Sequence, residues 1–287
     1  MFNIKEVKNK INSIKNTKKI TSAMEMIAFT KMNKVKIKIL SVDKYLISIK
    51  NIMNNLLSSN LDYKPKIMSN YNYNKIIYLI ISTERGLVGT LNINLFKKVL
   101  ININKHIKLG KDVKLILIGA KAINFFSNFN IKILAKINNL NNNLLPEEFR
   151  IIKINQVVKN VISLYNNNII DACYLASNKF INVLNQVPEI IRIIPFIKTG
   201  KTKINSCYIY ESDIINILNK LIYCYIESSI YLGLINNLIS EQASRMVTMQ
   251  LAKNSCDNLT KELELIYNQT RQNNITQELN EIISGNI

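Results

Sequence analysis

The 287-residue chain carries 38 Lys and Arg against 19 Asp and Glu, a formal net charge of +19, and 48% of it is hydrophobic with only 7 Gly and 4 Pro. That composition excludes an acidic disordered tail and a collagenous or loop-rich chain, and it allows a sizeable core in one large or two small domains. The charge says less about partners than its size suggests, because 52 Ile, 44 Asn and 33 Lys beside 5 Arg mark a bias toward A/T-rich codons rather than selection for an anionic partner.

From Met1 to Lys64 there is neither Gly nor Pro. Steps of three and four from Ile4 through Val7, Ile11 and Ile14 to Leu56 place apolar residues at thirteen of sixteen positions, so this segment is expected to be a coiled-coil helix. At 1.5 Å per residue it would run roughly 80 Å. Its three polar exceptions, Lys18, Thr21 and Glu25, are consecutive, with Ile20, Met24 and Ile27 beside them. The stripe is therefore expected to shift there and to change its packing partner.

The middle of the chain reads differently. Short β-branched runs at 76–82, 114–120, 131–137, 171–177 and 189–197 alternate with amphipathic helical patterns, one of them opening with Pro146 in its first turn. Such alternation predicts an α/β domain over about residues 75–200 with a largely parallel sheet. From Glu211 to Ser284 there is again no Pro and only Gly233, and Ile214, Leu218, Leu221, Tyr225, Leu232, Ile235, Ile239, Met246 and Met249 keep a heptad. Its phase is expected to change to Cys256, Leu259, Leu263 and Ile266, and later to Ile275, Leu279 and Ile282. Two long stripes at opposite ends of one chain can pair antiparallel, and neither could hide its apolar face alone.

No catalytic constellation, cofactor motif or metal site is read from the residues. Gly86 and Gly89 follow the first strand where a phosphate loop would lie, but the three-glycine fingerprint is incomplete, so a structural turn is the expectation. Gly200-Lys201-Thr202 lacks the upstream glycine of a P-loop, where Pro195 stands. Cys173, Cys207, Cys224 and Cys256 form no Cys-x-x-Cys pair, and the one histidine, His106, is expected on a solvated helix surface. The first residues have no apolar core of a signal peptide, and no run of 18 apolar residues could span a membrane, so a soluble or peripheral protein is expected. Arg85, Arg150, Arg192, Arg245 and Arg271 stand out in a Lys-rich chain as candidates for bidentate or stacking geometry that an ammonium cannot reproduce.

Four segments carry a resemblance: 5–32 (KEVKNKINSIKNTKKITSAMEMIAFTKM), 82–98 (STERGLVGTLNINLFKK), 177–188 (SNKFINVLNQVP) and 240–285, which holds SEQASRM and TRQNNITQE. In order and spacing they resemble the gamma subunit of the bacterial F-type ATP synthase. The resemblance implies residues 1–64 and 208–287 as the two helices of an antiparallel coiled-coil shaft, and 75–200 as a Rossmann-like α/β domain with a largely parallel five-stranded sheet. It implies a central-stalk rotor with no catalytic site and no cofactor of its own, coupling ion-driven rotation to nucleotide chemistry in a hexamer of three alpha and three beta subunits. The epsilon subunit and the membrane c-ring would be further partners, with no nucleic acid, and the place would be the cytoplasmic side of the cell inner membrane, held peripherally.

Residue by residue, the resemblance implies that Lys18 and Lys19 face an acidic loop of the beta subunit and that Met24 belongs to the coupling segment. Arg245 would work with Arg271, Gln272, Thr276 and Glu278, while Tyr208, Tyr210 and Glu211 match the foot that touches the c-ring and epsilon. The chain departs from the common pattern at Val88 and Thr90, where Cys and Gly are usual, and at Ser22 and Asn33, where a positive charge is usual. The cysteine-bearing insertion of photosynthetic forms is absent, so no thiol switch is expected. Two other readings compete: a basic coiled-coil adaptor binding nucleic acid or an acidic membrane surface, and a nucleotide-binding α/β enzyme.

Overall fold

A computed structural model describes residues 4–58, 73–138, 147–196 and 214–285. Helix α1 (Ile4–Ser58) is followed by β1 (Lys75–Ile81), α2 (Leu91–Lys108), β2 (Asp112–Ile118), α3 (Ala120–Phe126), β3 (Lys132–Ile137), α4 (Glu147–Asn166), β4 (Ala172–Phe180), β5 (Gln186–Ile194) and α5 (Ile214–Ser284). All five expected strands are present, with boundaries shifted by a few residues. The seven-residue α3 was not anticipated, because so short a segment completes too few turns to show a helical period.

The chain divides into two compact units, Lys31–Ser244 and Met1–Thr30 with Arg245–Ile287. In the larger unit the sheet order is β3-β2-β1-β4-β5, with β5 antiparallel to β4 and every other pair parallel. Both faces are covered, so β1 is enclosed after its exposed first residue, Lys75: Ile76 to Ile81 are all fully buried. Alternate residues point to opposite faces. Ile77, Leu79 and Ile81 pack with Leu46, Ile49 and Met53 of α1, Val158 of α4 and Leu218, Ile222 and Ile226 of α5. Ile76, Tyr78 and Ile80 pack instead with Leu95, Phe96 and Val99 of α2 and Phe126 of α3.

Two glycines are needed by this packing. Gly233 of α5 packs directly on the sheet, and a β-carbon there would sit 2.8 Å from Leu175 Cδ2 and 3.3 Å from Ile81 Cδ1. Gly119, at the end of β2, has φ +99 and would place a β-carbon 2.5 Å from the Ser82 carbonyl oxygen. That tight turn aims α3 back across the sheet. Helix α2 stops at Gly110, whose φ of +74 lets its N–H donate to the Ile107 carbonyl at 2.9 Å.

Candidate functional site

In the smaller unit the two helical segments run antiparallel, as their ion pairs show: Lys15 with Glu264 at 2.8 Å, Lys18 with Asp257, and Glu25 with Lys253 at 3.6 Å. The partner number falls as the α1 number rises. The seam between them is continuous. Ile4, Val7, Ile11, Ile14, Lys18, Thr21, Glu25 and Ala28 are each buried or half-buried, with Val7 and Ala28 at 1% exposure.

The expected stripe shift on α1 is therefore corrected. Ile20, Met24 and Ile27 stay exposed, at 57%, 38% and 52%, while the polar trio holds the seam. Lys18 and Glu25 lay their aliphatic stems along it and meet opposite charges on α5. Thr21 is 9% exposed and its hydroxyl donates a hydrogen bond to the Lys18 carbonyl at 3.0 Å, so the hydroxyl is not stranded. A heptad tolerates polar side chains where the facing helix answers them.

The expected phase changes on α5 are corrected for the same reason. Met246, Met249, Lys253, Cys256, Thr260, Leu263, Tyr267, Thr270 and Asn274 continue one unbroken heptad and are all buried or half-buried. Leu259 and Ile266 lie off it and are exposed. Continuing the antiparallel count from the Lys15–Glu264 pair brings Ile4 level with about residue 275. Beyond that point α5 has no described partner strand of helix, and Ile275, Leu279, Ile282 and Ile283 are between 48% and 64% exposed. Two apolar lines thus remain open: Ile20, Met24 and Ile27 on α1, and the last turns of α5.

The sequence-derived site residues divide accordingly. Lys18 is drawn to Asp257, whereas Lys19 is exposed and Met24 lies on the open line. Arg271, Gln272, Thr276 and Glu278 are exposed, and the Thr276 hydroxyl donates to the Gln272 carbonyl at 2.9 Å. Arg245 is half-buried and about 39 Å along the helix from Arg271, so these two do not form one contact site. Tyr208, Tyr210 and Glu211 lie outside the described residues, as do Cys207 and the Gly200-Lys201-Thr202 segment. The ion-pair partners Asp257, Lys253 and Glu264 were not singled out in the sequence. Matching the charges at polar heptad positions of one helix against the other would have found them.

In the larger unit, the turn after β1 is built as a self-contained cap. Asn92 of α2 donates to the Thr83 hydroxyl at 2.7 Å and accepts the Thr83 N–H at 3.4 Å, while Thr83 donates to the Arg85 carbonyl at 2.8 Å. The Glu84 carboxylate takes the Ala120 N–H at 3.1 Å, so the start of α3 is answered from within the chain. Positive φ falls on Leu87 and Gly89 and not on Thr90, whose φ is −89. The Thr90 departure therefore needs no left-handed backbone, and Val88 is a buried apolar residue at 4% exposure. Ser244 donates to the Val88 carbonyl at 2.6 Å and ties this turn to α5.

His106 is corrected as well. It is half-buried against Tyr78 and Tyr174, at ring distances of 6.2 and 5.6 Å, and burial and then the nearby Lys111 hold its pKa below the usual 6.5. Among the described residues no group of His, Cys, Asp and Glu converges as a metal site would, Cys173, Cys224 and Cys256 are free thiols, and no helix is long and apolar enough to cross a membrane.

A family model described as ATP synthase matches residues 3–286. The chain is 42% identical over 288 residues to the ATP synthase gamma chain of Baumannia cicadellinicola subsp. Homalodisca coagulata, covering 99% of each sequence. Among solved structures it is similar to a chain of the Euglena gracilis mitochondrial ATP synthase in an OSCP/F1/c-ring complex, rotational state 3, with TM-score 0.69, 18% identity and coverage of 98% of this chain and 93% of that one. A chain of the Tetrahymena thermophila mitochondrial ATP synthase central stalk and c-ring gives TM-score 0.59 at 18% identity, covering 81% of this chain and 99% of that one. At such identities the structural likeness establishes the fold.

Proposed function

Because the chain belongs to the ATP synthase gamma chain family, we propose that its paired helices turn inside a ring of three alpha and three beta subunits and present a different face to each beta subunit in turn. The chain is a non-catalytic subunit, the central-stalk rotor of a membrane-associated ATP synthase. Family membership gives no support to the basic adaptor or the nucleotide-binding enzyme. The observation that carries the mechanism is the unbroken internal seam beside apolar lines that the chain itself leaves open. A pair of helices whose mutual contacts are complete is stiff enough to transmit torque, and the open lines are free to bind other chains.

Rotation changes which beta subunit meets Ile20, Met24, Ile27 and the neighbouring Lys19. Contact free energy then differs among the three catalytic sites, and that difference shifts their open and closed populations and hence their nucleotide affinity. Met24, Lys18, Lys19, Arg245, Arg271, Gln272, Thr276 and Glu278 are assigned to this coupling surface, with Lys18 acting through its pair with Asp257. The segments 1–64 and 208–287 act as the shaft and 75–200 as the α/β body. Tyr208, Tyr210 and Glu211 are assigned to the foot that touches the c-ring and the epsilon subunit. The assembled enzyme sits peripherally on the cytoplasmic face of the cell inner membrane.

The test is reconstitution of the full chain with alpha and beta subunits. The wild-type chain should confer ATPase activity on them, and in membranes carrying the whole complex Arg271→Ala with Gln272→Ala should lower proton pumping per ATP at least severalfold. Unchanged pumping would remove these residues from the coupling surface. Absence of any chain-dependent ATPase would overturn the rotor mechanism.

A further inference from the structure

Arg192, one of the five arginines set apart by the sequence, is not absorbed by the rotor mechanism. It lies on β5 opposite Tyr174 of β4, at the end of the sheet where the parallel strands begin. Tyr73, just before β1, shares a 3.1 Å hydrogen bond between its hydroxyl and that of Tyr174. The Arg192 guanidinium lies 5.7 Å from the Tyr73 ring centre, and Lys111, in the turn before β2, places its ammonium 3.8 Å from the same centre. His106 packs beside Tyr174, which itself stacks on Tyr78 at 5.3 Å.

Two cations thus converge on one phenol pair, and among the described residues neither forms an ion pair. Arg192 Nε and His106 Nδ1 are buried and have no hydrogen-bond partner. The neighbouring carboxylates are all committed elsewhere. Asp112 holds Lys114 at 3.2 Å, Asp171 accepts the N–H groups of Asn74 and Lys75 at 3.0 and 2.9 Å, and Glu189 pairs with Lys179 at 3.8 Å. Leaving a buried guanidinium N–H unanswered costs free energy that a bound oxyanion would return.

We propose that Arg192, Lys111 and the Tyr73 and Tyr174 hydroxyls form a binding site for a phosphate group. A guanidinium edge, an ammonium and the one hydroxyl proton that the Tyr73–Tyr174 hydrogen bond leaves free supply more donors than the two oxygens of a carboxylate can use, whereas a phosphate presents three or four oxygens in a tetrahedron. Burial keeps the Tyr174 hydroxyl protonated and therefore able to donate. The phosphate is either free in solution or the headgroup of an acidic lipid, which offer the same chemistry.

His106 is the sole histidine of the chain, so its ring resonance reports on this place without ambiguity. It faces Tyr78, Tyr174 and Lys111, and a phosphate seated beside Lys111 should raise its pKa. The experiment is a pH titration of the full chain labelled with 13C at histidine Cε1, in inorganic phosphate and in chloride of equal ionic strength. A rise in the His106 pKa in phosphate alone is expected. In Arg192→Lys, which keeps the charge and loses the fork, and in Lys111→Gln, which removes the ammonium, about tenfold more phosphate should be needed for half of that rise. Flotation with vesicles of phosphatidylcholine and phosphatidylglycerol, against phosphatidylcholine alone, separates the sources. Arg192-dependent flotation assigns the lipid headgroup, and a phosphate-dependent His106 shift without flotation assigns the free ion. An equal His106 pKa in phosphate and chloride, or a rise that both substitutions leave intact, overturns the site.

Discussion

The sheet of the larger unit and the helix pair of the smaller one bury apolar residues in opposite ways. In β1 six successive residues are fully enclosed, because helices cover both faces of the sheet. In the helix pair only every third or fourth residue is enclosed, and the surface beside the seam carries exposed Ile20, Met24, Met26, Ile27 and Phe29. The sheet satisfies itself, whereas the helix pair is half an assembly. A substitution in the first should therefore be read in folding and one in the second in coupling.

The largest expected effect lies in the sheet. Gly119→Ala would force a left-handed residue to carry a β-carbon into the Ser82 carbonyl, at 2.5 Å. Strain and overpacking together should cost about 3 kcal/mol. Hydrogen exchange of the β1 and β2 amides should accelerate about a hundredfold, with exchange in 4–28 and 249–274 unchanged. If the seam amides accelerate equally, the two regions are one cooperative unit and the contrast fails.

The second effect reverses the location. Ala28 is 1% exposed in the seam, and Ala28→Glu would bury a carboxylate there at a cost of about 2 kcal/mol. Exchange should accelerate along the helix pair and leave β1 protected, and pumping per ATP should fall while unpumped hydrolysis persists. A variant that pumps normally would show that the shaft does not need a closed seam to carry torque.

How much of this was legible beforehand follows from the same contrast. The five strands and both long helices could be read, since β-branched runs and heptads are local patterns that a buried sheet and a coiled coil impose on every residue. The phase of the seam could not be read from hydrophobicity alone. Lys18, Thr21 and Glu25 look like a break when α1 is viewed singly, and only Asp257 and Lys253 on the other helix make them seam residues. His106 was misplaced for a related reason, because the tyrosines that cover it come from β1 and β4, distant in sequence. Resemblance proposed the coupling residues, and the several turns between Arg245 and Arg271 on α5 already followed from the single helix expected over 208–287.

The smallest effect tests that polar part of the seam. Lys18 and Asp257 are each 40% exposed, so water and salt screen their attraction and the pair should be worth about 0.5 kcal/mol. A double-mutant cycle with Lys18→Gln and Asp257→Asn, read from the thermal midpoint of the assembled complex, should give a coupling of that size at low salt. At high salt it should vanish. If the pair serves only the seam, exchanging the two charges (Lys18→Asp with Asp257→Lys) should restore the midpoint and the pumping ratio together. If Lys18 is also read by the beta subunit, the exchange should restore the midpoint and leave pumping impaired, because the positive charge would then stand on the wrong helix. That divergence between stability and coupling would show one residue serving both the closed seam and the open surface.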